Sequence, residues 1–185
     1  MGGTRERMVQ TAARLFQRHG YHAVGFRRII EESEAPRGSI YHHFPQGKEQ
    51  LGAEAITWSG GALVRTVGQI AASHDDIAGT LEELGERLAG WLESSGFADG
   101  CPVATVALEV APTDGPVTDA CRDVFRDWVV VLRDRLHEEG WEPDAARAFA
   151  TTIVAAIEGA LLLARVERDA TPVRTVARDL AARAR

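Results

Sequence analysis

The stretch Ala35-Pro36-Arg37-Gly38-Ser39-Ile40-Tyr41-His42-His43-Phe44-Pro45-Gln46-Gly47-Lys48 decides the reading of this chain. Pro36 suits the first position of a helix, where its missing N–H costs nothing. Pro45-Gln46-Gly47 breaks the chain again, so the spacing predicts a short helix from Pro36 to about Phe44. Ile40 and Phe44 lie four apart and pack inward, which leaves Arg37, Gly38, Tyr41 and His42 near one end of the exposed face. That face suits a nucleic-acid groove. Arg reads guanine edges with a bidentate fork, while Ser39, Tyr41 and His42 donate to phosphates. Gly38 lets the backbone come close to the sugar-phosphate wall. Lys48 opens the next helix, whose N-terminal N–H groups and the ammonium are placed to share a phosphate. It is the single lysine of the sequence.

Working upstream, Met8, Ala12, Leu15 and Phe16 make one apolar stripe on a helix from about Arg5 to His19, stopped by Gly20. A second short helix spans roughly Phe26 to Glu32, with Phe26, Ile29 and Ile30 on one side. Three short helices, the last two joined by a tight turn, follow the helix-turn-helix plan. Residues 1–50 hold eight Arg/Lys against five Asp/Glu, a balance of +3, and four of the six histidines. The formal total is −6, so residues 51–185 carry −9. A small basic unit, 1–47, is therefore expected to precede a larger acidic one, 48–185. Neighbours on a helix point about 100° apart, so His42 and His43 do not share a metal. His19 and His22 lack a cysteine or carboxylate at ligand spacing, and no metal or cofactor is expected.

Downstream, every segment reads as helix: Lys48 to about Ser73, a helix capped by Asp75 or Asp76, Pro102 to Val110, Val117 to Glu139, Asp144 to Arg168, and a last one opened by Pro172. The fold class is all-α. At 185 residues, such a chain buries roughly 70% of its unfolded surface and needs no disulfide or metal staple. Cys101 and Cys121 read as buried structural thiols of a reducing, cytoplasmic compartment. No secretory leader is expected. The most apolar stretch, Ala148 to Ala164, is interrupted by Glu158 and is shorter than the roughly 20 residues that span a bilayer, so no membrane partner is expected.

The stretch from Ala35 to Leu51, with Ala12-Ala13-Arg14-Leu15-Phe16 and Gly20-Tyr21 upstream, resembles the TetR family of transcriptional repressors. Gly100-Cys101-Pro102-Val103-Ala104-Thr105-Val106-Ala107-Leu108-Glu109, together with the Pro-Gln-Gly-Lys-Glu linker, resembles the branch that includes lincomycin-resistance repressors. The resemblance implies an N-terminal helix-turn-helix domain followed by a helical ligand-binding and dimerisation domain. It further implies double-stranded operator DNA as partner, with Arg37 and Gly38 at bases or the groove wall, Tyr41, His42 and Lys48 on phosphates, and Arg27 and Arg28 as backbone anchors. Two positions depart from the pattern. Gly25 stands where most members have a capping residue such as Thr, and Glu34 where the turn commonly has Gly. A left-handed backbone at Glu34 would cost roughly 1 kcal/mol.

The helix from Asp144 to Arg168 is apolar nearly all round, so it must be covered on both sides. Phe149, Ile153, Ile157, Ala160, Leu161 and Ala164 are the expected homodimer face, which agrees with the resemblance. Two-fold symmetry then predicts a pseudo-palindromic operator with half-sites about one helical turn or a little more apart. The resemblance also implies a cavity for a small-molecule effector, for which Trp91, Phe125, Trp128 and Glu158 are the candidates. The three aromatics equally suit a core, whereas a charge at 158 needs a partner, a wet cavity or an interface rim. No Gly-x-Ser-x-Gly elbow, phosphate-cradling loop or His-Glu-x-x-His occurs, which argues against an enzyme. The reading is a ligand-responsive repressor. The alternative is a helical small-molecule-binding or scaffolding protein without DNA binding, favoured by Glu34 and Gly25.

Overall fold

The computed structural model describes residues 3–36 and 38–185, and among these it contains helices and no strand. In order they are α1 (Thr4–His19), α2 (Phe26–Glu32), α3 (Ile40–His43), α4 (Lys48–Ala71), α5 (Ile77–Ser94), α6 (Pro102–Val110), α7 (Pro116–Glu138), α8 (Pro143–Glu167) and α9 (Thr171–Ala184). The chain packs as two compact units. One joins the segment up to Gly61 with Cys101–Val124, and the other joins Ala62–Gly100 with Phe125–Arg185. The first unit is thus larger than the 1–47 segment marked by sequence, because α6 packs on α1.

Local chemistry explains where the helices begin and end. Gly20, at φ 80°, stops α1 and donates its N–H to the Phe16 carbonyl. The Asp76 carboxylate caps α5 by accepting the Gly79 N–H at 2.7 Å. Proline stands in the first turn of α6, α8 and α9. In the first unit Met8, Ala12, Phe16, Ile29, Ile40, Phe44 and Leu51 are fully buried, each large apolar side chain stabilising by roughly 1.5–3 kcal/mol.

The helix expected from Pro36 is shorter than its sequence pattern. The Ser39 N–H and hydroxyl both donate to the Pro36 carbonyl, at 2.9 and 2.7 Å, closing a turn before α3 starts at Ile40. Serine and glycine favour such local closures over the helical ladder.

In the second unit α9 lies along α5 and also against α8. Gly85 admits the close contact: a Cβ there would stand 2.4 Å from that of Ala177. At 25 residues and a mean hydropathy of 1.7 over its most apolar window, α8 is long and apolar enough to cross a membrane by length and composition. This corrects the shorter span read from sequence. Its inner stripe is nonetheless covered by protein, and the helix carries Glu158 and Arg165.

Candidate functional site

The segment from Glu34 to Phe44 is held from behind by its two apolar anchors. Ile40 and Phe44 are fully buried, and the Tyr41 ring stands at right angles to that of Phe26, with centroids 5.7 Å apart. Tyr41 is 67% exposed, and Gly38 and His42 are exposed beside it. A Cβ built at Gly38 would meet nothing within 4 Å, and its φ is not in the left-handed region. Packing inside the chain therefore does not demand glycine there. Ser39 is half-buried with its hydroxyl engaged to Pro36, so it presents lone pairs rather than the expected free donor. Arg37 lies outside the described residues.

Glu34 takes up φ 53°, the left-handed conformation foreseen for that position, and its side chain is exposed. Gly25 is the N-cap of α2 and brings no side chain to the N–H groups of the first turn. Arg27 and Arg28 both meet carboxylates four residues on, at 2.9 Å to Glu31 and 2.9 Å to Glu32. Arg27 is 90% exposed, and its hydrogen bond to Glu31 holds its pKa above the ordinary guanidinium value. Arg28 also meets the His19 ring at 2.8 Å, and Glu32 takes a second bond from Arg14. The Arg28 hydrogen bond is the main reason that the Glu32 carboxyl lies below the usual carboxylate range.

Behind this face, α4 and α6 reach the α1–α2 turn. Lys48 is half-buried, its ammonium 4.3 Å from the Tyr21 ring centroid and 3.5 Å from the His22 carbonyl, to which it donates. Burial pushes the Lys48 pKa down, and the Glu109 charge partly restores it. The Glu109 carboxylate accepts the His22 N–H at 2.8 Å. Arg5 meets Glu54 of α4 at 2.6 Å and lies over the Phe44 ring. Sequence reasoning missed Glu109. Its signal was a carboxylate ending an otherwise uncharged α6, together with a glycine at position 20 for it to rest against.

The second unit contains a cavity of about 50 Å³. Leu63, Val64 and Val67 of α4 line one part, Trp128 and Leu132 of α7 another, and Ile153, Ile157 and Glu158 of α8 a third. Of the four ligand candidates, Trp128 and Glu158 lie at the cavity. Phe125 stands perpendicular to Trp128 with centroids 5.3 Å apart and is not part of the lining. Trp91 is half-exposed on α5, away from the lining, because the α5 stripe toward the core is set by Leu81, Leu84 and Leu88.

Of the expected dimer face, Ile153, Ile157, Ala160, Leu161 and Ala164 are largely buried within their own chain, and Phe149 is half-buried with its ring stacked on Trp141 at 5.1 Å. The apolar surface of α8 that is left open lies a partial turn away, at Ala155, Gly159, Leu162, Leu163 and Val166. The thiols also differ from expectation: Cys121 is buried, but Cys101 is only half-buried and caps α6, its Sγ accepting the Ala104 N–H at 3.4 Å.

Comparison with known proteins matches two successive segments of the chain. Residues 9–55 match the family described as bacterial regulatory proteins, tetR family, and residues 78–179 match the transcriptional regulator LmrA/YxaF-like C-terminal domain. The chain is 35% identical over 179 residues to the uncharacterized HTH-type transcriptional regulator YxaF of Bacillus subtilis (strain 168), covering 97% of this chain and 94% of that one. It is 32% identical over 172 residues to the HTH-type transcriptional regulator LmrA of the same organism, covering 93% and 92%. Among solved structures, a TetR transcriptional regulator from Chloroflexus aurantiacus J-10-FL superposes with a TM-score of 0.80 at 28% identity, covering 97% and 92%. One from Legionella pneumophila gives 0.86 at 23% identity, covering 99% and 98%, a likeness of fold.

Proposed function

The chain belongs to the TetR family of transcriptional regulators, and from that premise we propose that it is a cytoplasmic homodimeric repressor of a pseudo-palindromic operator, released by a small-molecule inducer. The observation that carries the proposal is the open face of the Gly38–His42 segment. Its apolar side chains are locked inward, while Gly38 is a glycine that the chain's own packing does not require. An external surface approaching the backbone there supplies the requirement. Arg37 and Gly38 meet the bases or groove wall and Tyr41 and His42 the phosphates, while the Ser39 hydroxyl, its proton engaged by Pro36, accepts from a base N–H. Arg27, Arg28 and Lys48 add charge along the backbone.

The effector site is the cavity at Trp128 and Glu158. Its volume of about 50 Å³ holds a few waters at the roughly 10–15 Å³ that each requires. Drug-sized ligands occupy about 300–1,000 Å³, so binding must displace the lining helices. An apolar ligand with a cation or hydrogen-bond donor for Glu158 fits the lining. The α4 helix carries Leu63, Val64 and Val67 at the cavity and begins at Lys48 behind the recognition segment. Tilting it changes the separation of two recognition segments and spoils docking in successive major grooves. The second copy covers Ala155, Gly159, Leu162, Leu163 and Val166, where small residues permit close helix approach.

The test is a titration of the duplex upstream of the protein's own gene with wild type and the Arg37→Ala/Tyr41→Ala variant. A loss of at least tenfold is expected. Equal affinity refutes this face, and absence of any shift with wild type favours the non-DNA-binding alternative.

A further inference from the structure

The peptide groups of the α1–α2 turn are gripped from two sides at His22. Glu109 of α6 accepts its N–H at 2.8 Å, and Lys48 of α4 donates to its carbonyl at 3.5 Å. The carboxylate is seated as well as bonded. A Cβ at Gly20 would stand 1.7 Å from Glu109 Oε1, so the oxygen occupies the space that any other residue at position 20 would fill. Gly20 therefore serves twice, at φ 80° as the stop of α1 and as the floor of this seat. Glu109 is the one charged residue of α6, which otherwise reads Pro-Val-Ala-Thr-Val-Ala-Leu ahead of it. A charge-assisted hydrogen bond to a backbone N–H is about twice as strong as a neutral one. The turn it fixes leads within three residues to Gly25, the N-cap of α2.

We infer that Glu109 is a positioning residue for operator binding, fixing the α1–α2 turn through the His22 N–H so that the setting of α6 decides the setting of the helix-turn-helix. The inference rests on DNA binding by that unit, as proposed above. It makes an opposite prediction to simple charge. Glu109 adds a negative charge to a unit that meets a polyanion, so removing it strengthens binding if long-range electrostatics is all that matters. A positioning role makes removal weaken binding.

The full-length protein carrying Glu109→Ala, Glu109→Asp or Glu109→Gln is titrated with the same upstream duplex at several salt concentrations, alongside wild type and Arg37→Ala/Tyr41→Ala. Deuterium exchange of the His22 amide is followed by NMR. Alanine removes the bond, aspartate keeps the charge but withdraws the oxygen by one methylene, and glutamine keeps the oxygen without the charge. Weakening by about tenfold or more is expected for Ala and Asp, at an unchanged salt slope, with the His22 amide exchanging faster. Gln should stay within about threefold of wild type. If the Ala variant does not fold, the Asp variant and the amide carry the same test. Ala or Asp binding as tightly as wild type with the His22 amide still protected overturns the inference while the DNA-binding reading stands. A wild-type chain that fails to bind the duplex overturns that reading, and this inference with it.

Discussion

Replacing Glu34 by glycine should stabilise the protein, an outcome that side-chain contacts alone do not suggest. Glu34 sits at φ 53° in the turn between α2 and α3, where an L-residue is disfavoured by roughly 1–2 kcal/mol. Glycine relieves that cost but enlarges the unfolded ensemble, which offsets roughly 0.5–1 kcal/mol. The difference leaves a gain of about 0.5–1 kcal/mol. For a chain of this length it corresponds to a rise in Tm of roughly 1–4 °C. Urea denaturation read by circular dichroism measures it, with Glu34→Ala as the control. Alanine removes the carboxylate yet keeps the strain, so it should show no comparable gain. Both variants lose a negative charge beside the recognition segment. A phosphate about 10 Å away in water changes by roughly 0.4 kcal/mol before screening, so both should bind DNA up to about twofold tighter. Glycine no more stable than alanine would refute the claim that the turn is strained.

Three further outcomes are expected. Lys48→Ala should weaken binding alike on operator and unrelated duplex and flatten the slope of log K against log salt by about one unit; an unchanged slope would confine this side chain to Tyr21 and His22. Burial pushes the Cys121 thiol from 9.0 up to about 11, so its share of stability is complete below pH 9 and is lost as pH rises through about 11. A thiol reagent at pH 8 should accordingly label Cys101 first, and fast labelling that persists in Cys101→Ser would contradict the burial of Cys121. Leu162→Glu/Val166→Glu should give folded monomers by analytical ultracentrifugation, because both side chains are exposed on α8; an unchanged dimer would place the interface elsewhere.

What the sequence made legible was local. Gly20, Asp76, Pro102 and Pro143 act on their immediate neighbours, so helix ends follow from spacing alone. The stripe of Ile40 and Phe44 likewise follows from a four-residue period. The inner and outer faces of α8 were not legible, because Ala, Leu, Ile and Val surround it and periodicity has no polar side to mark. Only the arrival of neighbouring helices, α9 among them, decides that Ile153 and Ala164 are inside and Leu162 and Val166 outside. Trp91 lies outside the cavity lining for a different reason: on amphipathic α5 it sits off the buried stripe of Leu81, Leu84 and Leu88. Glu109 is the extreme case, since its partner's N–H lies 87 residues away.

The +3 balance of residues 1–50 does not measure how many cations reach a duplex. Arg5 is engaged with Glu54, Arg14 and Arg28 with Glu32, and Arg27 with Glu31. Each is surface-exposed, and such pairs contribute little to stability, typically well under 1 kcal/mol, so a phosphate readily takes the place of a carboxylate. The exchange is uneven. The Arg27 guanidinium is 90% exposed and has one partner four residues away, whereas Arg28 is bound to Glu32 and to His19 at once. Arg27 is therefore the arginine that turns outward at least cost, and Arg28 is the one that keeps α2 fastened to α1. Counterion release on binding counts completed exchanges rather than formal charges. The salt slope of the wild-type complex should thus fall below the value that the basic residues of the first fifty positions would suggest, and Arg27→Ala should reduce it more than Arg28→Ala does.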